Sequence, residues 1–169
     1  MSTTKFKGDT IKLSGDLPQV GATAEDFTFV KQDLSEGSLA DYEGKVKVII
    51  ALPSLDTGIC QAEARAFNEK LGKKEGVVGL IVSKDLPMAM KRFCTTEGIE
   101  DVIPASDFRY NDFATEYQAE MIEGPLKGLL ARIVFVVDQN NVIKYIEEVD
   151  DVTHEPNYDE AMKAVESLV

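Results

Sequence analysis

Short apolar runs alternate with amphipathic stretches along most of this chain, and that alternation predicts an α/β fold. Three β-branched runs, residues 46–52, 77–82 and 133–137, predict buried strands. A polar cluster at residues 138–141 follows the third run and predicts a turn into a further strand over residues 142–149. The last two strands are therefore expected to pair as an antiparallel hairpin.

Apolar residues at helical spacing separate these strands and predict four helices. The helices are expected over about residues 57–73, 86–97, 111–117 and 158–168. In the second helix Asp85 is the candidate N-cap, Pro87 lies in the first turn and Gly98 is the expected stop. The inner stripe of that helix is expected to contain Leu86, Ala89, Met90, Phe93 and Cys94.

The N-terminal part of the chain predicts strands outside this alternation. Residues 5–13 alternate weakly and contain Gly8-Asp9, which favours a β-hairpin, and residues 24–30 favour a short strand. The sum is a thioredoxin-like mixed sheet flanked by helices, with an N-terminal β-hairpin. A chain of 169 residues is expected to form one domain over residues 1–169.

Composition and charge narrow the function classes. The chain is 44% hydrophobic and 28% charged, as is typical of globular proteins, and its net charge of -12 argues against nucleic acid and anionic membranes as partners. The N-terminus lacks the apolar segment of a signal peptide, so a cytoplasmic location is expected, where thiols stay reduced. Two cysteines and one histidine are too few for a structural zinc site, and no metal or cofactor is expected.

The chemically most informative segment is residues 53–60. Pro53 ends a predicted strand, and Cys60 falls in the first turn of the predicted helix. Unpaired backbone N–H groups and the helix dipole favour a thiolate there, and a thiolate is a nucleophile. Thr57 lies one turn earlier, where its hydroxyl can point at the same small space. With Cys94 in the next helix, the chain has one thiol to attack and one to resolve the product.

A cation is expected near Cys60 to support the thiolate. Asp56 and Glu63 oppose a negative sulfur, and among the neighbours in sequence only Arg65 can help. The best candidate from elsewhere in the chain is Arg132. It stands directly before an apolar strand, where a charge must reach solvent or find a partner.

Each of these residues also has a plain structural explanation. Free cysteine is among the most buried residue types, which keeps an inert core role open for both Cys60 and Cys94. Thr57 taken alone is typical of a helix cap, and Arg132 taken alone is typical of a snorkelling or salt-bridged strand-end arginine. The single histidine, His154, is expected in a solvated loop, so a Cys–His pair is not indicated.

The spacing Pro53-x-x-x-Thr57-x-x-Cys60 resembles the P-x-x-x-T-x-x-C active-site motif of peroxiredoxins. The resemblance extends over essentially the whole chain and is closest to the bacterial thiol peroxidase subfamily. It is carried by residues 54–60, 85–94, 106–109 and 123–132. One departure is Ala24-Glu25-Asp26-Phe27, where relatives usually have Ala-Pro-Asp-Phe. The resolving-cysteine position of another peroxiredoxin class is Arg65 here, and no cysteine follows Cys94.

The resemblance implies a thiol-dependent peroxidase that reduces hydrogen peroxide and alkyl hydroperoxides. It implies that Cys60 is the peroxidatic cysteine and forms a sulfenic acid, that Thr57 and Arg132 hold the thiolate and orient the peroxide, and that Pro53 shields the pocket. Cys94 would be the resolving cysteine, closing an intramolecular disulfide with Cys60. Thioredoxin as reductant, a homodimer and a role in antioxidant defence are also implied.

The two cysteines lie in separate predicted helices, which bears on how they could form a disulfide. A disulfide needs Cα atoms within about 7 Å, so one or both helix ends are expected to unwind before Cys60 meets Cys94. A redox sensor that passes oxidation to a partner protein stays open, although the lack of a Cys-x-x-Cys motif counts against a general oxidoreductase. An interaction module on a thioredoxin-like scaffold, with thiols that have no chemical role, also stays open.

Overall fold

The computed structural model describes residues 1–72 and 74–169 and contains a seven-stranded mixed sheet beside a separate two-stranded hairpin. The strands are β1 (Thr3–Phe6), β2 (Asp9–Lys12), β3 (Thr28–Val30), β4 (Glu36–Ser38), β5 (Val46–Ala51), β6 (Val77–Ser83), β7 (Ile103–Ser106), β8 (Ile133–Val137) and β9 (Ile143–Glu148). The helices are α1 (Gly58–Leu71), α2 (Pro87–Glu97), α3 (Asp112–Tyr117) and α4 (Tyr158–Glu166), with a 3₁₀ turn over Leu39–Tyr42.

The large sheet has the strand order β4-β3-β7-β6-β5-β8-β9. Strands β5, β6 and β7 are parallel and are connected through α1 and α2, whereas β3 and β8 run antiparallel to their neighbours. Every residue of β5 is buried, which explains why its sequence is apolar except for Lys47, whose ammonium group donates to the Asn141 side-chain oxygen. Both crossover helices begin where the parallel strands end, so one edge of the sheet collects both helix N-termini.

Two apolar cores lie on opposite faces of the sheet, and β5 contributes to both. Val48 and Ile50 pack with residues of α1, α2 and α4 on one face. Ile49 and Ala51 pack on the other face with α3, the N-terminal segment and an aromatic group in which Tyr117 and Phe135 have ring centroids 5.3 Å apart. None of the helices within the described ranges is long and apolar enough to cross a membrane.

Most elements predicted from the sequence are confirmed, with small shifts at their ends. Strand β8 has the predicted bounds, and the hairpin of β8 and β9 is present. Helix α1 ends at Leu71, and the predicted end at residue 73 lies outside the described residues. In the N-terminal hairpin the turn residues are Lys7 and Gly8, with φ of 51° and 89°. Two positive φ values fit a type I′ turn, one residue earlier than predicted.

Two predictions for α2 are wrong. The N-cap is Leu86 and not Asp85, because the Asp85 carboxylate bonds to a neighbouring loop instead of to the first turn of the helix. Leu86 does not lie on the inner stripe, since it precedes the helix and is 43% exposed. The stop is confirmed, because Gly98 adopts the left-handed conformation with φ of 68°.

Strands β4 and β7 are not predicted by the sequence pattern. Both are short, and each contains a residue that is rare in strands, Gly37 in β4 and Pro104 in β7. Residues 24–27, where the sequence differs from the Ala-Pro-Asp-Phe usual in relatives, are held in place by tertiary contacts. The Asp26 carboxylate accepts from the N–H of Leu39 at 2.8 Å, and the Tyr117 hydroxyl donates to the Glu25 carbonyl at 2.7 Å.

Candidate active site

The loop between β5 and α1 brings the motif residues to the carboxyl edge of the parallel strands. Pro53 is buried at the end of β5, and Thr57 is the N-cap of α1. The first helical bond joins the Gln61 N–H to the Thr57 carbonyl at 3.0 Å, so Cys60 lies in the first turn, as predicted. Cys60 has no exposed surface, and its thiol is free. The buried sulfur therefore belongs to the turn in which helical N–H groups lack intrahelical partners and the helix dipole is positive.

A polar network anchors this loop to the sheet. The Asp85 carboxylate accepts from the Ser54 hydroxyl at 2.7 Å, the Leu55 N–H at 2.8 Å and the Ser83 hydroxyl at 2.7 Å. The Ser54 carbonyl in turn accepts from the Thr57 hydroxyl at 3.0 Å. Thr57 is exposed, and its hydroxyl proton is committed to this carbonyl, so toward a ligand its oxygen is an acceptor.

Arg132 is the buried cation of the site. Its side chain is only 2% exposed, although it carries a full charge. The Nε and Nη2 groups donate to the Val152 carbonyl at 3.0 and 2.6 Å, and Nη1 donates to Oε1 of Glu63 at 2.6 Å. Burial opposes the charge, but Glu63 and the nearby Cys60 sulfur raise the pKa of Arg132 above its ordinary value. The guanidinium therefore stays charged beside the thiol.

Glu63 has a role that its sequence position does not predict, because it pairs with Arg132 in addition to opposing a thiolate. It is fully buried one turn after Cys60, and its Oε2 finds no hydrogen-bond partner among the described residues. Burial raises the pKa of Glu63 to about 7, against the opposing pull of Arg132. A signal was present: residues i and i+3 share a helix face, and a carboxylate on a buried face requires a cation.

The raised pKa of Glu63 predicts a pH-dependent stability. Glu63 binds its proton more tightly in the folded protein than in the unfolded chain, where its pKa is the ordinary 4.5. Its contribution to the free energy of unfolding is therefore fully present below pH 4.5 and is lost as pH rises to about 7, by roughly 3 kcal/mol. The measurement is urea denaturation between pH 4.5 and 8 in a Cys60→Ser background, which excludes oxidation of that thiol.

The matched control for this prediction is Glu63→Gln in the same background. The stability of the glutamine variant relative to its parent should increase as pH rises through this window. A constant difference across the window would mean that Glu63 stays ionised throughout.

Cys94 lies near the C-terminal end of α2 and is 4% exposed. It belongs to the same apolar cluster as Cys60, and its thiol is also free. Burial raises the pKa of Cys94 to about 11. In this conformation Cys94 is therefore a poor nucleophile at neutral pH, unlike a thiol at a helix N-terminus.

The burial of Cys94 predicts that its thiol is protected from alkylation in the folded protein. At pH 7 iodoacetamide should alkylate Cys94 in the folded protein roughly 100-fold more slowly than in urea, because a pKa of about 11 instead of 9.0 depletes the thiolate to that extent. The measurement is the alkylation rate of Cys94 in Cys60→Ser, followed by mass spectrometry. Equal rates in buffer and in urea would show that α2 is already open around Cys94.

The structure brings Pro53, Thr57 and Cys60 together in one loop and helix start. Arg132, the cation that the sequence analysis selects from elsewhere in the chain, lies beside the sulfur. The structure does not bring Arg65 there, since that side chain forms a surface ion pair with Glu97 at 2.7 Å. His154 is exposed in the loop before α4, as predicted. The arrangement can thus support a buried thiolate with a helix N-terminus and one guanidinium.

Comparison with known proteins gives a consistent result. The model of the Redoxin family matches residues 19–162. A thiol peroxidase from Leptospira interrogans is 47% identical over 171 residues, with 100% of both chains covered, and a thiol peroxidase from Corynebacterium glutamicum is 44% identical over 98% of this chain and 99% of its own. The crystal structure of a peroxiredoxin-like protein from Aquifex aeolicus is 41% identical, covers 100% of this chain and 98% of its own, and superposes with a TM-score of 0.96.

Proposed function

Because this chain belongs to the Redoxin family and, within it, to the thiol peroxidases of the peroxiredoxin type, we propose that it reduces hydrogen peroxide and organic hydroperoxides through a sulfenic acid at Cys60. The observation that carries the proposal is the buried guanidinium of Arg132 beside the Cys60 sulfur and the Glu63 carboxylate. Disulfide exchange alone needs no such cation, whereas cleavage of an O–O bond develops negative charge that a guanidinium stabilises.

In the first step the Cys60 thiolate attacks one peroxide oxygen. A sulfur–oxygen bond forms, the O–O bond breaks, and the departing oxygen takes a proton to leave as water or an alcohol. Arg132 donates to the oxygen atoms as negative charge develops on them. The Thr57 oxygen accepts the peroxide O–H and thereby orients it, while buried Pro53 keeps bulk water from the sulfenic acid.

In the second step the Cys94 thiolate attacks the Cys60 sulfenic sulfur. The disulfide forms, and the sulfenic oxygen leaves with a proton as water. The burial of Cys94 and the raised pKa of its thiol support the expectation that a helix end unwinds first. A dithiol reductant then restores both thiols by disulfide exchange, and we propose thioredoxin for this step.

We propose a cytoplasmic homodimer with a role in antioxidant defence as the working form. The support for association is an exposed apolar groove beside the N-terminus of α2, lined by Leu34, Leu86, Met88 and Phe108. Leu34 and Phe108 are 54% and 63% exposed, which is unusual for such side chains on a monomer.

The experiment that tests the proposed function is thiol counting by mass spectrometry after one equivalent of peroxide. Wild type should lose both thiols rapidly, and Cys94→Ser should accumulate a sulfenic acid at Cys60 that dimedone traps. Parallel runs with hydrogen peroxide and cumene hydroperoxide compare the two substrate classes. Slow and unselective oxidation of both proteins would contradict a peroxidase and leave the redox sensor or scaffold interpretation.

A further inference from the structure

The N-terminal hairpin of β1 and β2 forms its own sheet, yet its turn contacts a loop close to the active site. The N–H groups of Lys7 and Gly8 donate to the two carboxylate oxygens of Asp151 at 3.3 and 2.9 Å. Asp151 also accepts from the N–H and hydroxyl of Thr153, at 2.9 and 2.6 Å. Burial alone would raise the pKa of Asp151, but the bonds from Thr153 and then from the hairpin turn hold it well below its usual range.

Two further contacts fix the same loop to β1. The Thr4 hydroxyl donates to the Val149 carbonyl at 3.2 Å, and the Val152 N–H donates to the Lys5 carbonyl at 2.9 Å. Thr4, Val149 and Val152 are each only 3% exposed, so these bonds lie in a dry environment. The hairpin therefore holds the 149–153 loop together with the bond from the Val149 N–H to the Arg132 carbonyl at 3.0 Å.

This loop supplies the main acceptor of the catalytic cation. The Val152 carbonyl receives both Nε and Nη2 of Arg132, which leaves Nη1 for Glu63. A carbonyl that binds two N–H groups of one guanidinium fixes the plane of that group as well as its place. Any displacement of the Val152 peptide will thus rotate or shift the guanidinium relative to the Cys60 sulfur.

The hairpin also contacts the segment that leads into Arg132. Directly after β2, Leu13 forms a bridge with Met121. The Met121 carbonyl accepts from the Gly128 N–H at 2.8 Å, and the Ala131 N–H donates to the Ala119 carbonyl at 2.9 Å. Arg132 is the next residue. The hairpin is therefore connected both to the backbone segment that precedes Arg132 and, through the Val152 carbonyl, to the Arg132 side chain.

We propose that the N-terminal hairpin positions the Arg132 guanidinium, with Asp151 as the positioning residue that transmits hairpin geometry through the Val152 carbonyl. The inference rests on the proposed peroxidase function, since it assigns the hairpin a part in that reaction. Its physical basis is the steep dependence of catalysis on placement, because a shift of about 1 Å from a distant change can cost 10²-fold in rate.

The test compares Asp151→Asn with the matched control Asp138→Asn. Both aspartates are buried and accept backbone N–H groups in a turn; Asp138 does so from Asn140 and Val142, each at 2.9 Å. Asp138 follows the last residue of β8, whereas Arg132 precedes the first, so the control leaves the Arg132 side untouched. Replacing one carboxylate oxygen by an amide group removes an acceptor and places two N–H donors face to face.

The second-order rate constant of Cys60 with hydrogen peroxide should fall roughly 10- to 100-fold in Asp151→Asn. It should stay within about twofold of wild type in Asp138→Asn, because distant sites act independently. A second readout is the ¹⁵N–¹H resonance of Arg132 Nε in the reduced protein. It should shift and exchange faster with solvent in Asp151→Asn and remain unchanged in Asp138→Asn.

A wild-type rate and an unchanged Arg132 resonance in Asp151→Asn would overturn the inference, and so would equal losses in both variants. If Asp151→Asn does not fold, Thr4→Val decides instead, since it removes one hairpin bond to the loop with little change in shape. In Thr4→Val, a rate loss below about 10-fold together with a shifted Arg132 resonance would support the inference. A wild-type rate together with an unchanged resonance would overturn it. A slow wild type would overturn the proposed function, while the resonance comparison would still test the positioning.

Discussion

Cys60→Ser is expected to lose rapid peroxide reduction, with a decrease on the order of 10⁴-fold or more in the rate constant. A hydroxyl is not ionised at neutral pH even at a helix N-terminus, so the variant has no nucleophile of comparable strength. The measurement is peroxide consumption in a single turnover, with circular dichroism to confirm the fold. The fold check matters because Cys60 lies inside the apolar cluster beneath α1.

The matched control for that experiment is Cys94→Ser, which replaces the other buried thiol of the same cluster. It should retain the first fast reaction with peroxide and lose only disulfide formation. Equal losses in the two serine variants would indicate damage to the core. A fast reaction in Cys60→Ser would place the chemistry at another residue.

Arg132→Met is expected to lose about 10²- to 10³-fold in the rate constant with peroxide, because the site loses the donors that face the developing oxyanion. It should also lose about 3–5 kcal/mol of stability at pH 8, because Glu63 is left buried without its cation. Peroxide kinetics and urea denaturation measure the two effects separately.

The double variant Arg132→Met/Glu63→Gln separates catalysis from folding. Removing both charges should recover most of the stability, since a buried ion pair contributes little relative to a neutral pair of similar shape. The rate with peroxide should remain as low as in Arg132→Met. Recovery of the rate in the double variant would mean that Arg132 serves the fold alone.

The sequence predicts the parts of this protein that local patterns determine. Strands β5 and β8 are readable because both faces are buried, so that β8 is apolar throughout and β5 is apolar except for Lys47. The placement of Cys60 in a first helical turn follows from Pro53 ending one element and an amphipathic stretch beginning the next. Arg132 is found by the same logic, because a charge beside an apolar strand needs a partner.

The sequence does not predict contacts between groups that are distant along the chain. Asp85 has the residue type of an N-cap, but its carboxylate binds Ser54 and Leu55 across the sheet edge, and this tertiary preference outweighs the local one. Glu63 lies 69 residues before Arg132 in the sequence, so local spacing does not predict that they pair. The same holds for Asp151, whose contacts join opposite ends of the chain.

The left-handed glycine at the end of α2 has a consequence for an oxidised enzyme. Gly98 closes the last turn, with its N–H bonded to the Cys94 carbonyl. If Cys94 resolves the sulfenic acid as proposed, the frequency of fraying at this end determines how often its thiol reaches Cys60. Between two fraying events a sulfenic acid at Cys60 can meet a second peroxide molecule and go on to the sulfinic state. In the proposed cycle, the local stability of this one helix end would therefore set the peroxide concentration at which Cys60 is inactivated.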